Sequence, residues 1–457
     1  MKKWAAIALA LWGAAASAQD AGGEERWNAY GQATYIANKH DAFPARYTNL
    51  NGSPNSLSPD RERSWSATAT GYFGVKPWRG GEVFFVPEMI AQVAFSDLHG
   101  LGGSVQNGEL EKTGFSTPIF YRSRLFLRQT WNLGGESSRL ESGPMQLAKS
   151  VDSRRFVLTA GNLAIIDIFD RNAFAGDIRQ QFLSMNFATY AAYDFAADAR
   201  GYSWGVAGEY FHDEWALRAG RFLVPRLPNQ LQLNHQFMKY YGDQIELERQ
   251  HRFRGRPGKV QLLAYRNVAL MGRWDDAMNA LRADPGRNAA NCTETNYGSD
   301  NATAPDLCYV RGKHVKLGAG VSLEQSITDD IGINLRAMKS DGRSEVDAFE
   351  SADSSAALAA VVKGTRWKRA QDSIGIGYAQ NWISSAHASF HGMGGVDAFI
   401  GDGAIRNRPE RAFEAYYNIA VTKFFWLTLD YQRVANPAYN ADRGPVNIYG
   451  FRLHAEF

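Results

Sequence analysis

The sequence predicts an all-β fold, a transmembrane antiparallel β-barrel of about sixteen strands with long external loops and short periplasmic turns. Three observations support this prediction. Residues 446–457, at the end of the chain, alternate between apolar and polar side chains with the period of two that is typical of a strand. Aromatic residues make up 13% of the chain and 44 residues are glycine, yet the mean hydropathy is negative at -0.37. No stretch after residue 18 reaches the roughly 20 apolar residues of a membrane helix, so spans through a bilayer must be strands.

The first eighteen residues are predicted to be a signal peptide. Lys2 and Lys3 precede an apolar run over residues 4–16, and Ala16-Ser17-Ala18 is a cleavage site of small residues. Cleavage after Ala18 would leave residues 19–457 as a single barrel domain. Loss of the two lysines lowers the formal charge from +3 to +1, so overall basicity gives no reason to expect nucleic acid as a partner.

The two cysteines, Cys292 and Cys308, lie in one hydrophilic segment that reads as an external loop. In an oxidising compartment this spacing favours a disulfide within the loop. Two free thiols are the alternative.

Alternating segments give the predicted strands, and one segment has helical spacing instead. Met271, Trp274, Met278 and Leu281 predict a short helix over residues 271–283. A tight hairpin turn is predicted around Asp213. Besides the terminal strand, the predicted strands cover residues 27–37, 65–75, 83–95, 120–133, 156–166, 182–195, 203–211, 215–224, 243–250, 259–269, 309–324, 331–339, 345–354, 373–387, 411–422 and 425–434.

Charged side chains on the strands predict a polar lumen. Arg122, Arg124 and Arg128 fall on one face of the segment 120–133, and Glu88 lies on the preceding strand. A charge on the lipid face costs about 2 to 4 kcal/mol at mid-membrane, so these residues are expected to line a pore. A lining of mixed sign favours neutral polar solutes over ions. The charged segment 167–179 is either a surface loop or a loop folded into the pore.

No catalytic site, metal site or cofactor is predicted. His454 and Glu456 stand two apart on the last strand, where such side chains are ordinarily neighbours on the wet face. His387 and His391 are four apart near a predicted strand end, and that spacing aligns metal ligands on a helix rather than on a strand.

Several segments resemble the carbohydrate-selective porins of the OprB type. The resemblance rests on residues 124–130, Gly161-Asn162-Leu163-Ala164, residues 167–172, Gly401-Asp402-Gly403, residues 436–440, Asp442-Arg443-Gly444-Pro445 and residues 452–457. It implies a sixteen-stranded barrel in the outer membrane of a Gram-negative bacterium, through which mono- or oligosaccharides diffuse passively.

The resemblance also implies roles for individual residues. It puts Arg122, Arg124 and Arg128 on the pore wall, and Asp167, Asp170 and Asn172 near an inward-folded loop. It further implies that the barrel-insertion machinery recognises the terminal Phe457.

Two alternatives remain open. Residues 85–89 and 96–100 resemble a branch of the same family often labelled high-affinity manganese porin, so a manganese-permeable porin is the alternative within the class. An outer-membrane barrel enzyme such as a lipase is the alternative from another class, and it would need a Ser/His pair near one rim. The expected partners are a small solute and the lipid bilayer, and the oligomeric state, monomer or trimer, is left open.

Overall fold

Sixteen strands of the described chain form one closed antiparallel sheet. The computed structural model describes residues 16–19, 23–286, 297, 299, 301–348 and 351–457. The barrel strands are β1 (Glu25–His40), β2 (Glu62–Trp78), β3 (Gly81–Val93), β4 (Ile119–Asn132), β5 (Arg154–Leu163), β6 (Ser203–His212), β7 (Trp215–Phe222), β8 (Tyr241–Phe253), β9 (Arg256–Met271), β10 (Gly312–Ser326), β11 (Ile331–Ser340), β12 (Ser354–Lys363), β13 (Ser373–Trp382), β14 (Glu410–Thr422), β15 (Phe425–Ala435) and β16 (Val446–Glu456).

The last strand closes the barrel against the first. Strand β16 pairs with β1, so that Ile448 lies opposite His40 and Glu456 opposite Gln32. The terminal Phe457 extends this pairing, because its carbonyl accepts from Gly31 N–H at 2.7 Å and its own N–H donates to the Gly31 carbonyl at 3.0 Å. Closure pairs the backbone groups that an open sheet would expose at its edges. The predicted barrel of about sixteen strands is confirmed.

Side chains alternate between the two faces of the wall. On β16, Tyr449 and Phe451 are 45% and 39% exposed, whereas the next residue, Arg452, points to the opposite face and is buried. The outward side chains are apolar on the other strands too, including Phe73, Phe85, Leu217, Leu247, Leu262, Leu317, Leu335, Leu358, Ile376 and Leu429. The buried polar side chains of the inner face include Thr68, Glu88, Arg218, Glu246, Gln261, Lys316, Asn334, Arg336, Glu414 and Arg452. This arrangement is that of a transmembrane barrel, apolar outside and polar inside.

Short turns join the strands at one end of the barrel, except for the longer connection 133–153 between β4 and β5, and long loops join them at the other end. The turn after β6 consists of residues 213–214, as predicted. Exposed aromatic side chains stand beside the short turns, namely Trp78, Trp131, Trp215, Phe253 and Phe424. Such a belt is typical of the membrane–water interface.

Short α-helices lie in the described parts of the long loops, namely α1 (Met185–Ala188), α2 (Trp274–Ala283) and α3 (Ser385–Gly392). Helix α2 confirms the predicted helix over residues 271–283. Among the described residues, every helix is too short or too polar to cross a membrane. Two further short strands, Ser137–Leu140 and Lys149–Asp152, pair with each other between β4 and β5, and Ala16–Gln19 pairs with β1.

Three predicted strands need correction. Residues 182–195 do not form a strand, because they belong to a loop packed inside the barrel and contain α1. The described residues 345–348 and 351–353 are loop, and the wall is completed there by β12, which begins at Ser354. The strand predicted over residues 373–387 ends at Trp382, and α3 follows it.

Two predictions fall partly on residues outside the described ranges. Residues 1–15 are among these, so the signal peptide over residues 1–18 stays a prediction. Cys292 also lies outside the described residues, so its disulfide with Cys308 stays a prediction as well.

Candidate pore constriction

Two long loops fold into the barrel and narrow it. The first inner loop, residues 94–118, joins β3 to β4, and the second inner loop, residues 164–202, joins β5 to β6. The second loop reaches opposite walls, since Arg179 contacts Glu88 on β3 while Asp170 contacts Arg336 on β11. Segment 167–179 therefore lies inside the barrel rather than on its outer surface.

Strand side chains hold the second inner loop by its backbone. Arg452 on β16 donates to the carbonyls of Ile178 and Gln181, both at 2.8 Å. Glu414 on β14 accepts from the N–H groups of Leu183 and Ser184 at 2.6 and 3.1 Å. Buried backbone groups that would be costly to leave unpaired are thus satisfied by the wall. The loop also carries a buried aromatic core made of Phe169, Phe182, Phe187, Tyr190, Tyr193 and Phe195.

A cluster of four charged side chains, Glu88, Glu109, Lys112 and Arg179, joins both inner loops to the wall. We call it the central cluster. Arg179 donates to Glu88 and to Glu109, at 2.9 Å in each case. Lys112 lies 2.9 Å from Glu88 and 3.3 Å from Glu109. Two carboxylates and two cations therefore face one another, and the formal charges of the cluster cancel.

The pKa values of the loop members of the cluster reflect this pairing. Burial alone would lower the pKa of Arg179, but the carboxylate of Glu109 holds it well above its ordinary value. Burial alone would raise the pKa of Glu109, but Arg179 and Lys112 hold it below its ordinary value. Both Arg179 and Glu109 are consequently charged at neutral pH.

Hydroxyl groups complete the coordination of Glu88. Thr70 donates to its Oε2 at 2.7 Å, Tyr202 donates to its Oε1 at 3.2 Å, and Tyr121 donates to the same Oε1. Tyr72 accepts from Arg179 at 2.8 Å. The cluster therefore combines charged groups with phenol groups at one level of the pore.

Arg124 and Asp167 form a second balanced pair beside the central cluster. The Arg124 guanidinium donates to both carboxylate oxygens of Asp167, at 2.6 and 2.8 Å. Its Cζ also lies 5.2 Å from the centre of the Tyr202 ring, in cation–π geometry. This bidentate pair fixes the start of the second inner loop against β4.

Asp170 and Asn172 shape the second inner loop itself. Asp170 accepts from Arg336 at 3.1 Å and from Thr189 at 2.9 Å. The side-chain oxygen of Asn172 accepts from the N–H groups of Phe174 and Ala175, at 2.7 and 2.9 Å, and closes a local turn. Asp170 therefore connects the loop to β11, whereas the contacts of Asn172 stay within the loop.

Arg128 lies nearer to the short-turn end of the barrel. It donates to the carbonyl of Met145 at 2.9 Å, and its guanidinium is 4.0 Å from Glu82. Glu82 is also bound by Lys149 at 2.6 Å. Arg128 is therefore separate from the central cluster.

Arg122 does not share the face of Arg124, and this part of the prediction is wrong. The register between β3 and β4 shifts where Val86 faces Arg124 and Pro87 faces Arg122, so that Ser123 is an extra residue. Such a bulge reverses the side on which the flanking residue points. Proline lacks the N–H that a regular ladder needs, which explains its position at this bulge.

Arg122 instead lines an open cavity of about 290 Å³ beside the constriction. Its guanidinium lies 5.1 Å from the centre of the Trp204 ring. The other lining side chains include Tyr121, Asn162, Asp198, Arg200, Tyr202, Leu231, Gln232 and His235. We call this the side cavity. Because Tyr121 and Tyr202 also bind Glu88, the side cavity adjoins the central cluster.

Sequence reasoning missed most partners of Glu88. Lys112 and Arg179 belong to loops, where no alternation assigns a side chain to the lumen. A strict period of two would place Tyr121 on the face opposite Arg124, but the bulge at Ser123 turns it to the inner face. Pro87 within an otherwise regular strand was the one signal that the register changes there.

Comparisons with known proteins agree with this geometry. The family model described as carbohydrate-selective porin, OprB family, matches residues 77–457. The fold is similar to that of Pseudomonas putida OprB at high pH, with a TM-score of 0.66 and 13% identity over 94% of each chain. It is also similar to the outer membrane channel DcaP of Acinetobacter baumannii, with a TM-score of 0.51 and 9% identity over 97% of this chain and 100% of the other. No curated protein matches this chain in sequence.

Proposed function

We propose, from the premise that the chain belongs to the carbohydrate-selective porin, OprB family, that mono- or oligosaccharides are the solutes it passes. The protein is a porin of the Gram-negative outer membrane, a channel rather than an enzyme. The observation that carries the sugar proposal is the charge balance of the constriction.

A balanced constriction favours neutral polar solutes. In the central cluster Glu88 and Glu109 offset Lys112 and Arg179, and Arg124 offsets Asp167 beside it. A ring of one sign would attract counter-ions and repel co-ions, but paired charges give no such preference. Paired guanidinium, carboxylate and phenol groups still offer donors and acceptors to the hydroxyl groups of a sugar.

The phenol rings beside the central cluster supply the apolar contacts that a sugar ring needs. Tyr121 and Tyr202 both donate to Glu88 on the inner face of the wall, whereas Trp204 in the side cavity faces outward like Val206. The Tyr121 and Tyr202 rings lie 6.1 Å apart between centres, at 49° to each other. Aromatic faces can pack on the C–H side of a sugar ring while the polar groups bind its hydroxyls. A solute held there lies directly beside Glu88.

The manganese alternative needs inward carboxylates that are free to bind a cation. Glu410 and Glu414 face inward, but both are occupied by backbone groups. Glu410 accepts from Gly102, Gly103 and Ala438 at 2.8 to 2.9 Å, and Glu414 accepts from the second inner loop. Their role is to hold loops, which favours the sugar proposal.

Block of ion current by glucose in planar bilayers tests the proposal. We expect glucose to reduce the single-channel conductance saturably, and Tyr121→Ala to raise the half-blocking concentration several-fold through loss of the ring contact. Tyr378→Ala, which alters an exposed tyrosine on the outer face of β13, is the matched control and should be blocked by glucose like the wild type. Equal block by glucose and by a neutral non-sugar of similar size would contradict the proposal. Protein-dependent uptake of Mn²⁺ without glucose block would favour the manganese alternative.

A further inference from the structure

His387, His391 and Asp397 form a buried group in the loops at the long-loop end of the barrel. We call it the histidine cluster. One nitrogen of each imidazole and one carboxylate oxygen lie within 4.8 Å of one another. No metal site was expected at these two histidines because they were predicted to lie near the end of a strand, where residues four apart do not align as metal ligands. In the structure both histidines lie on helix α3. On a helix, residues four apart stand on the same face.

His391 points an unpaired nitrogen at the cluster. Its Nδ1 lies 2.9 Å from the carbonyl of Gly395, which only accepts, so Nδ1 carries the hydrogen. The lone pair of the neutral ring is then on Nε2, which is buried and has no hydrogen-bond partner among the described residues. Nε2 instead faces Oδ2 of Asp397 at 3.7 Å. A lone pair facing a carboxylate oxygen is repulsive unless a proton or a metal cation lies between them.

Asp397 is held so that one oxygen is directed at both histidines. Its Oδ1 accepts from the N–H groups of Phe399 and Ile400 at 2.9 and 2.8 Å. Its Oδ2 lies 3.1 Å from Nε2 of His387. Zinc ligands at about 2.0 to 2.2 Å in tetrahedral geometry stand a little over 3 Å apart. The distances from Asp397 Oδ2 to the two imidazoles, 3.1 and 3.7 Å, are near this value, and the 4.8 Å span of the whole group must shorten by about 1 Å when the ion binds.

Asp353 orients His387 from the other side. Nδ1 of His387 lies 2.9 Å from Oδ2 of Asp353. A carboxylate that accepts from the far nitrogen of a ligating imidazole is a recurrent feature of metal sites. The indole of Trp274 on α2 stacks on the His387 ring, with centres 3.9 Å apart, and shields it from water.

We propose that the histidine cluster binds a divalent transition-metal ion through His387 Nε2, His391 Nε2 and Asp397 Oδ2. Two imidazoles and one carboxylate suit Zn²⁺ and similar first-row ions, with a water completing the coordination. The ion takes the place of the proton between His387 and Asp397, and that proton is released to water. Because α2 supplies Trp274 and the loop before β12 supplies Asp353, the bound ion joins three external loops. This site is outside the pore and is independent of the proposed sugar specificity.

Equilibrium dialysis of the folded, tag-free protein against Zn²⁺ tests the proposal. We expect one Zn²⁺ per chain, with His391→Gln weakening binding by about tenfold or more and Asp353→Asn by about 10- to 100-fold. His212→Gln, which alters an exposed histidine beside a short turn, should bind like the wild type. Heat-dependent migration in gels checks that each variant is a folded barrel. If one of the two variants His391→Gln and Asp353→Asn does not fold, the other one provides the test.

Co²⁺ provides a second readout, because its visible absorption bands report imidazole and carboxylate ligation. We expect these bands in the wild type and in His212→Gln but not in His391→Gln. Absence of Zn²⁺ binding by the wild type would overturn the proposal. Equal binding by folded wild type and His391→Gln would overturn it as well.

Discussion

At the scale of single residues, the charge selectivity of the pore depends on charged side chains that are paired with one another rather than exposed. Glu88 is buried and contacts Lys112 and Arg179 as well as three hydroxyl groups. Buried charges are tolerated only when such partners satisfy them. Removal of one partner should therefore leave a net charge at the level of the central cluster.

We predict that Glu88→Gln makes the channel prefer anions. The substitution keeps the size of the side chain and leaves Lys112 and Arg179 in excess. A unit charge about 4 Å from an ion changes its energy by about 1 to 4 kcal/mol, so the ratio of cation to anion permeability should fall several-fold. The reversal potential in a salt gradient measures this ratio. Glu141→Gln, at an exposed glutamate in a short-turn loop, is the control, and an equal shift in both variants would contradict the prediction.

Glu111 gives the first inner loop a dependence on pH. Burial raises the pKa of Glu111 from 4.5 to about 8. The folded loop therefore binds a proton that the unfolded loop has released between pH 4.5 and about 8, so the stability of the folded loop falls as the pH rises through this window.

We expect proteolytic cleavage within residues 94–118 to accelerate from pH 5 to pH 8 for this reason. Glu111→Gln should remove that part of the acceleration, because the amide does not titrate. The difference between the pH profiles of the two cleavage rates reports on Glu111 alone, because His99 and Asp97 on the same loop are present in both proteins. Identical pH profiles for the two proteins would refute the assignment.

Arg122 is the residue at which a strict period of two assigns the side chain to the wrong face of the wall. Arg124 and Arg128 point inward as a strict period of two requires, and Arg122 would follow them in a regular strand. The extra residue at Ser123 breaks the period, and it depends on the pairing of β4 with β3 at Pro87. A contact between two strands can only be recognised once their register is known.

At the scale of elements, the second inner loop determines the shape of the pore. Residues 182–195 were predicted as a strand because their aromatic and small residues resemble a buried strand. In the structure these side chains pack against one another and against the wall inside the barrel. Sequence patterns report burial, but they do not distinguish a buried strand from a buried loop. Strand β12 escaped prediction for the opposite reason, since its many alanines give little alternation.

Arg452 should be an anchor of this loop. We predict that Arg452→Met, which keeps the length of the side chain, frees the carbonyls of Ile178 and Gln181 and loosens the loop. Single-channel recordings should show larger and noisier conductance, while the barrel remains folded. Arg433→Met, at an exposed position on β15, is the matched control. Unchanged conductance in Arg452→Met would mean that Glu414 and the aromatic core suffice to hold the loop.

At the scale of the whole molecule, the barrel follows from features that the sequence displays openly. Alternation on β16, outward aromatic residues and short turns all derive from one physical requirement, an apolar outside and a polar inside. The paths of the inner loops are set by long-range hydrogen bonds such as Glu414 to Leu183, which connect residues far apart in the chain. For this reason the fold could be predicted almost completely and the constriction only in part.

The closing contact of Phe457 should govern assembly. We predict that deletion of Phe457 reduces the amount of folded barrel in the outer membrane, because it removes two backbone hydrogen bonds to Gly31 and the aromatic residue that we propose the insertion machinery recognises. The yield of heat-modifiable protein in outer-membrane fractions measures this. Phe457→Tyr retains the aromatic ring and should assemble normally. Equal yields for the deletion and the wild type would contradict the prediction.

The central claim is that a charge-balanced constriction admits neutral sugars. The most direct measurement is the swelling rate of liposomes that contain the folded protein, compared between glucose, gluconate and glucosamine. These solutes are similar in size and differ in charge, being neutral, anionic and cationic. The account predicts fastest entry of glucose and slower entry of both charged solutes. Faster entry of either charged solute than of glucose would contradict it.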